Sequence, residues 1–543
     1  MPARSAANET PEKWACSSHM QAAEATAAPP ARTARDVPYS PVETGWRLVV
    51  VAVACLISVF LDQGTGGAVT AVTPYMQGTL GASADEGPWL TITYNTIYYL
   101  SLISSAWMIG RYGRRQVWVV GHAVYAVACL GCALTPDFHG VVLWRALQGA
   151  GQGTFFVCAV MTILRVFPPN VAFVGFAIFA VTSLSGPAAG PAIGGWFVDE
   201  NAWHGLFVLL GGLALIASLL VYFVLRDPPE TGPRPDLDAL GLVLAFFHYF
   251  TFHYLAQFGE RRDWLWGSDI RWFSLCFAFF TGGFVWWELW GTHHPFIKMR
   301  LFEVHNLRWG ALLGFILGVP LFGASVFLQY LQNGIGFTPS LAGGLLATRI
   351  AAILLFVPFV AYALNKRLFD PRYMIVTGFV LVFLSYWLQY LGTTYTADFR
   401  TFVASVVISG AGFSLLFSPI ASTVLTSIAP EDFTRGVAIF KLTLTTGGTV
   451  AATALGVLVD HRNAYHIAAI AGSIDYGTPA IQNFLHSGSQ RTLASLATIQ
   501  GQILAYADTA QYTAIVVLCA APLALILRPP PRQPPTVGVH EST

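Results

Sequence analysis

Four charged side chains stand inside runs of apolar residues: Asp62, Arg145, Arg349 and Lys441. A charge at the centre of a bilayer costs at least about 2.5–3.5 kcal/mol on insertion scales, so each of these residues is a candidate for function. Asp62, in VFLDQGTGG, is the single carboxylate well inside an apolar run of the first half. A carboxyl group there can exchange a proton against a cationic or polar molecule, because burial and an approaching cation affect its protonation in opposite directions. We predict that Asp62 is the proton-coupling group.

The buried cations suggest further roles. Arg145 stands beside Gln148, and its guanidinium keeps its charge, so it can stabilise a nearby ionised acid or hydrogen-bond to backbone carbonyls. We assign it to proton coupling with Asp62. Arg349 favours an anionic or aromatic acid ligand, whereas Lys441 is equally consistent with a side chain that snorkels to the membrane surface. The predicted substrate pathway consists of side chains that can stack on or hydrogen-bond to flat apolar molecules, although each aromatic is also consistent with packing: Tyr94, Tyr98, Gln148, Phe155, Tyr330 and Arg349.

The composition sets the class of protein. Of 543 residues, 55% are hydrophobic and 10% are charged, against roughly 25% charged residues in soluble domains. We therefore expect a membrane protein. The formal net charge of +1 does not favour nucleic-acid binding, and the seven cysteines, mostly in apolar runs, do not suggest a disulfide framework. The sequence contains no G-x-x-x-x-G-K-[ST], HExxH or GxSxG motif, so we expect neither ATP drive nor an enzyme, and no cofactor or metal.

Apolar stretches of about 20 residues predict membrane-spanning helices. There are fourteen such stretches, near 47–73, 88–109, 117–135, 140–164, 171–197, 203–225, 238–257, 271–291, 309–331, 341–364, 373–392, 401–426, 435–459 and 510–527. With the N-terminus placed inside, 20 of the 29 Lys and Arg residues fall in cytoplasmic segments and 6 outside, which favours cytoplasmic termini. The predicted regions are a disordered cytoplasmic tail (1–46), a six-helix bundle (47–226), a linker with two extra transmembrane helices (227–308), a second six-helix bundle (309–528) and a cytoplasmic tail (529–543).

A long segment before the last span, 460–509, is predicted to be an extracytoplasmic loop whose second half, roughly 488–506, could form an amphipathic helix. A connector on the outer membrane surface and a docking site are equally consistent with it.

The stretch SGPAAGPAIGG contains Gly186, Gly190 and Gly194, one residue in four, so these three line one face of a helix. Small residues at this spacing let a neighbouring helix approach closely in lipid. Pro187 and Pro191 each remove a backbone donor and bend the helix. We expect a close-packed, bent seam on which helices can rock, in preference to direct contact with a substrate.

An internal repeat supports a duplicated fold. AWMIGRYGRRQVW follows span 2, and AYALNKRLFDPRYMI occupies the same place in the second half. Duplicated halves with a substrate site at their interface are typical of transporters.

At these residues the chain resembles the major facilitator superfamily, and specifically the fourteen-helix EmrB/QacA-type drug:proton antiporters. The family loop motif G-x-L-x-D-R-x-G-R-[KR] is represented by Arg111, Gly113, Arg114 and Arg115, with Ala106 and Gly110 replacing the first glycine and the aspartate. The motif R-x-x-Q-G-x-G is present at 145–151, and G-P-x-x-G-P-x-x-G-G is complete at 186–195, ending with Gly194 and Gly195. The resemblance implies an all-α fold of two six-helix bundles plus two inserted helices.

It also implies proton-coupled efflux of drugs or toxic hydrophobic and amphipathic compounds across the inner membrane, by alternating access between 47–226 and 309–528. An EmrA-type periplasmic adaptor and an outer-membrane channel are the implied partners. The alternative is a proton symporter that imports an organic acid, suggested by three buried cations against one clear acid.

Overall fold

The computed structural model describes residues 45–167, 172–225, 235–475, 478–487 and 489–528. The two predicted tails lie outside these ranges, apart from Gly45 and Trp46. Every membrane-scale element in the described part is a helix. The helices are α1 Trp46–Thr79, α2 Trp89–Tyr112, α3 Arg114–Leu134, α4 in two pieces (Phe138–Gln152 and Phe155–Val166), α5 Ala172–Asp199, α6 Trp203–Val224, α7 Ala239–Phe258, α8 Ser268–Trp286, α9 His305–Gly334, α10 Pro339–Lys366, α11 Pro371–Gly392, α12 Phe399–Leu425, α13 Phe433–Ser473 and α14 Gln490–Ala520.

Thirteen of the described helices are long and apolar enough to cross a membrane. The remaining one, α2, is rich in tyrosine, threonine and serine, but its 24 residues reach about 36 Å at 1.5 Å per residue, more than a hydrocarbon core of about 30 Å. Helices suit this surrounding because they satisfy their own backbone hydrogen bonds where water is absent. Each of the fourteen predicted spans corresponds to one helix, and the predicted fold class is confirmed.

The internal repeat is visible in how two pairs of glycines pack. On α4, Gly149 lies against the backbone of α2 at Tyr94, and Gly151 lies against α3. On α12, Gly410 lies against the backbone of α10 at Arg349, and Gly412 lies against α11. A side chain at any of these positions would meet backbone atoms, so the same helix contacts are built twice. We call α1–α6 the N-terminal bundle and α9–α14 the C-terminal bundle.

The two bundles meet along α5 and α10. Towards one end, Gly195 contacts the backbone of Pro339, and Gly343 contacts the backbone of Ala192. Towards the other end, Phe179 of α5 packs against Phe417 of α12, with ring centroids 5.7 Å apart. The bundles are therefore in contact at both ends of this seam. The two inserted helices lie outside the bundles, where α7 packs on α2 and α8 packs mainly on α7.

The segment 460–509 differs from the predicted loop. Helix α13 continues without a break to Ser473, and α14 begins at Gln490, with a short helix Pro479–Ser487 between them. The predicted helix in the second half of the segment is present as the first turns of α14. The 41 residues of α13 span about 61 Å, so about 20 Å of helix lies beyond its predicted span. Asp508 of α14 fixes this extension by accepting from Arg462 at 2.5 Å and contacting His466 at 2.8 Å.

Candidate functional site

An ion pair joins the two bundles near the middle of α1. The Nζ atom of Lys441, on α13, lies 2.6 Å from Oδ2 of Asp62, and the two side chains are 1% and 0% exposed. Tyr98 of α2 donates to Oδ1 of Asp62 at 3.0 Å, and Lys441 donates to Oε1 of Gln63 at 2.6 Å. The cation also lies 4.9 Å from the ring centroid of Phe156. Asp62 and Lys441, which are 379 positions apart in the sequence, thus form one polar centre between the bundles.

The glycine-proline stretch positions α1 for this pair. Gly186 packs against Gln63, and Gly190 packs against the backbone of Gly64, one and two residues after Asp62 on the chain. Gly194 continues the contact one turn further on, at Ala68. The next face of the same helix contacts α10 through Pro191, Ala192 and Gly195, as described above. Helix α5 therefore connects the helix that carries the acid to the opposite bundle, and it remains one continuous helix through Pro187 and Pro191.

Arg145 lies close to Asp62 but does not contact it. Its guanidinium donates to Oε1 of Gln148 and lies 4.1 Å from the ring centroid of Tyr94. Tyr94 in turn stacks on Tyr98, whose hydroxyl binds the carboxylate of Asp62. Arg145 and Asp62, which we assign together to proton coupling, are therefore linked indirectly, through two tyrosine rings of α2.

Two polar residues that we did not single out also support Asp62. Gln152 of α4 donates to the backbone oxygens of Leu61 and Asp62, at 3.2 and 3.1 Å. Gln63, the chain neighbour of Asp62, accepts from Lys441. Glutamines within apolar runs, in register with the charged residues, are the sequence signal that could have identified both.

The remaining predicted pathway residues lie elsewhere. Phe155 stacks on the imidazole of His122, with ring centroids 3.6 Å apart, inside the N-terminal bundle. Tyr330 lies in the C-terminal bundle, where its hydroxyl donates to the backbone oxygen of Thr394 at 2.9 Å. Tyr330 lines a small cavity of about 20 Å³, together with Tyr386, Gln389, Tyr506 and Thr509 among others. The structure therefore brings Tyr94, Tyr98 and Gln148 together near Asp62, places Phe155 about one helical turn of α1 away, and places Tyr330 in the other bundle.

Arg349 is the buried cation of α10. Its guanidinium lies 4.9 Å from the ring centroid of Phe413, and the residue is 3% exposed. No carboxylate lies within ion-pair distance of it in the described ranges. Arg349 also takes the position in the second repeat that Tyr94 has in the first. The backbone of Tyr94 contacts Gly149 of α4, and the backbone of Arg349 contacts Gly410 of α12.

The basic motif between α2 and α3 lies at one end of the N-terminal bundle. Gly113 has a φ of 85° and joins the two helices, a conformation in which glycine is favoured. Arg115 donates to the backbone oxygen of Tyr222 on α6 at 2.6 Å, while Arg114 is buried and Arg111 is half-buried. The motif thus ties α3 to the end of α6.

The corresponding loop of the second repeat, between α10 and α11, contains an acidic residue that forms an ion pair. Asp370 caps α11 and pairs with Arg372, whose Nη2 lies 2.7 Å from Oδ2. The hydrogen bonds from Arg372 hold the pKa of the Asp370 carboxyl below its ordinary value.

Two repeated six-helix bundles that meet at a buried ion pair define a membrane transporter. The sequence agrees: the model of the Major Facilitator Superfamily matches residues 54–324 and 310–474. The chain belongs to this family, and it is a multi-pass membrane transporter rather than an enzyme.

Individual relatives are distant. The chain is 22% identical over 442 residues to the multidrug export protein EmrB of Escherichia coli K12, covering 81% of this chain and 85% of the relative. It is 22% identical over 510 residues to the fatty acid resistance protein FarB of Neisseria gonorrhoeae, covering 91% and 98%. A crystal structure of a POT family transporter in complex with 5-aminolevulinic acid aligns with a TM-score of 0.58 at 16% identity, covering 92% of this chain and all of that one. This structural likeness concerns the fold.

Proposed function

We propose that this chain exports hydrophobic or amphipathic small molecules across the inner membrane in exchange for protons. The observation that carries the proposal is the ion pair of Asp62 and Lys441, because it joins the two bundles and one of its members can bind a proton. The similarity to EmrB and FarB supports export of drugs and other toxic compounds.

In this mechanism, ionised Asp62 attracts Lys441 and favours the closed arrangement of the bundles. Protonation of Asp62 removes its charge, so the attraction across the interface is lost and the bundles can separate. A cationic or polar substrate near the carboxyl group favours release of the proton, which couples the two fluxes in opposite directions. Arg145 acts through Tyr94 and Tyr98, which orient the carboxylate.

The seam of α5 is the proposed pivot. Glycines on one face and Pro191, Ala192 and Gly195 on the next allow α5 to touch α1 and α10 backbone to backbone. Contacts between small residues can slide with little steric resistance, because few side-chain atoms stand between the helices at these positions.

Transport by the purified protein tests the proposal. We expect reconstituted vesicles to move a fluorescent amphipathic dye against its own gradient when the pH gradient drives protons the opposite way. Accumulation of the dye in the same direction as protons would refute antiport, and absence of any solute flux under all gradients would refute transport of this class.

Arg349 keeps the alternative substrate class open, since within the described part of the chain it contacts no acid. An acidic substrate would supply the missing negative charge, and this applies to a symporter that imports an organic acid as well as to an exporter. We expect Arg349→Gln to weaken transport of laurate at least tenfold and transport of dodecyltrimethylammonium less than twofold. Arg400→Gln, at an exposed position on α12, is the matched control. Equal effects on both solutes would exclude a role for Arg349 in recognising acids.

The extension of α13 and α14 is the proposed contact for an EmrA-type adaptor, and through it for an outer-membrane channel. Tyr465 is 60% exposed and Leu496 is 43% exposed on this extension. We expect Tyr465→Glu with Leu496→Glu to abolish co-purification with such an adaptor while dye flux in vesicles is retained. Unchanged co-purification would remove the extension from the interface.

The proposed orientation has both termini in the cytoplasm, as the distribution of Lys and Arg favours. Labelling of a single cysteine at Tyr112 in intact cells, with a reagent that does not cross membranes, tests it. We expect no reaction before the cells are opened, and rapid reaction in intact cells would invert the orientation.

A further inference from the structure

A fully buried histidine forms a second polar cluster, one helical turn from Asp62. Ser58 of α1 and Trp118 and His122 of α3 are all 0% exposed. The Oγ atom of Ser58 lies 2.7 Å from the backbone oxygen of Ala54, 2.9 Å from Nε1 of Trp118 and 2.9 Å from Nε2 of His122. The Nδ1 atom of His122 lies 2.9 Å from the backbone oxygen of Trp118.

The number of protons in this cluster can be counted from its donors and acceptors. Carbonyl oxygens only accept, so the contact with Trp118 requires a proton on Nδ1 of His122, and the contact with Ala54 uses the single hydroxyl proton of Ser58. The indole N–H of Trp118 supplies its own proton to Ser58. The fourth contact, between Nε2 of His122 and Ser58, then has a proton only if the imidazole carries one on both nitrogens.

A neutral imidazole leaves one contact without a proton. The hydroxyl of Ser58 can turn towards Nε2 of His122, but its oxygen and that of Ala54 would then face each other at 2.7 Å with no hydrogen between them. That distance is typical of a hydrogen-bonded O–H···O pair and is repulsive for two bare acceptors. Binding of one proton at Nε2 therefore redirects the Ser58 hydroxyl from His122 to Ala54, and no other bond changes.

One contact of His122 favours a positive charge on the imidazole. The face of Phe155 stacks on the imidazole at 3.6 Å, and an aromatic face attracts a cation. The titratable side chains on the surrounding described helices include Cys55 and Asp62 on α1, Tyr94 and Tyr98 on α2, Arg145 and Cys158 on α4, Tyr222 on α6, and Arg114, Tyr125 and Cys129 on α3 itself; Asp62, the one acid among these, is paired with Lys441. Asp62 is four residues after Ser58, about 6 Å along the helix axis.

Another buried histidine provides a contrast within the same chain. His253 of α7 makes the same contact with the fourth residue before it, since its Nδ1 lies 2.8 Å from the backbone oxygen of Tyr249. Its Nε2 atom has no hydrogen-bond partner among the residues that the structure describes. The same count therefore gives a neutral imidazole at His253, with a single proton on Nδ1.

We infer that His122 is a second proton-binding site of the transporter, built by Ser58, Trp118 and Phe155 one turn from Asp62. The inference rests on the proposed proton coupling, in which His122 holds a proton near Asp62 during the transport cycle.

The charge of the imidazole can be measured without transport. We expect solid-state nitrogen NMR of histidine-labelled protein in lipid to show, between pH 5.5 and 8.5, one buried imidazole that changes from two N–H groups to one. The signal should vanish in His122→Gln, and in Ser58→Ala it should report a neutral ring because the acceptor for the second proton is gone. His253 should remain neutral throughout. A neutral His122 at every pH would overturn the inference.

Transport separates this inference from the proposed function. We expect His122→Gln to retain exchange of labelled for unlabelled dye, which needs no net proton movement. The flux driven by a pH gradient should fall at least tenfold in this variant. His253→Gln should retain both. Full pH-driven flux in His122→Gln would overturn the role of His122 and leave the proposed function intact. Absence of pH-driven flux in the unmodified protein would overturn the proposed function. In that case the NMR measurement would still decide the charge of His122.

Discussion

Neutralising Asp62 should open the bundle interface. At 2.6 Å and an effective dielectric constant of about 20, the attraction between Asp62 and Lys441 is about 6 kcal/mol before desolvation is subtracted. Removing one member of a buried ion pair costs about 3–5 kcal/mol, because the other charge is left buried and uncompensated. Asp62→Asn keeps the shape of the side chain and leaves Lys441 buried without a counter-charge, so the population of the closed arrangement should fall about 10²- to 4 × 10³-fold.

Distances between spin labels on opposite bundles measure this change. Leu134 at the end of α3 and Leu391 at the end of α11 are 80% and 61% exposed, so labels there should not disturb packing. A second pair, at Tyr112 and Tyr373, reports on the other end of the bundles. We expect Asp62→Asn to shift at least one of the two distance distributions, and low pH to produce the same shift in the unmodified protein.

The controls preserve or move the charge. Asp62→Glu retains a carboxylate and should behave like the unmodified protein, whereas Asp85→Asn removes an exposed carboxylate and should change nothing. Asp62→Asn with Lys441→Gln removes both charges and should be less open than Asp62→Asn alone. Distributions that superimpose on those of the unmodified protein for both label pairs would refute the role of the ion pair in closing the bundles.

Three further predictions concern the supporting residues. Gly190→Val places a side chain against the backbone of Gly64, so we expect assembled protein to fall severalfold on size-exclusion chromatography, and assembly at the unmodified level would contradict the packing role. Arg145→Gln removes the cation from the face of Tyr94; we expect a tenfold or greater loss of pH-driven flux with retained assembly, and an unchanged pH profile of transport would argue against its link to Asp62. Asp370→Asn keeps a capping residue but removes the ion pair with Arg372, and it should lower stability by about 0.2–1 kcal/mol at neutral pH. Because the pKa of Asp370 is lowered in the folded chain, its contribution is fully present above the unfolded pKa of about 4. It is lost as the pH falls through the lower pKa of the folded chain, so the variant and the unmodified protein should melt alike in strong acid.

Much of the fold could be predicted because lipid constrains it. Apolar runs of about 20 residues must be helices in a membrane, so each predicted span is found. The packing of Gly186, Gly190 and Gly194 on a neighbouring helix also followed from their spacing, although the identity of the neighbour, α1, did not. The periodicity of the glycines specifies which face of the helix packs, whereas only the tertiary arrangement specifies which neighbouring helix it packs against.

The site could be predicted only in part. A buried carboxylate at Asp62 is costly and therefore conspicuous, but its partner Lys441 is 379 positions away and was consistent with an interfacial lysine. Arg145 was assigned to Asp62 on charge alone, and the two tyrosine rings between them could not be foreseen without distances. The continuation of α13 through the first part of 460–509 could not be predicted for a different reason, because an alanine-rich helix that continues beyond a membrane has no apolar signal to mark it.

Simultaneous measurement of proton flux and substrate flux in one vesicle population tests the central claim most directly. With a pH-sensitive dye trapped inside and no imposed pH gradient, addition of substrate to one side should drive protons towards that side in the unmodified protein. The same addition should move none in Asp62→Asn. Protons that travel with the substrate, or proton movement that persists in Asp62→Asn, would contradict the account.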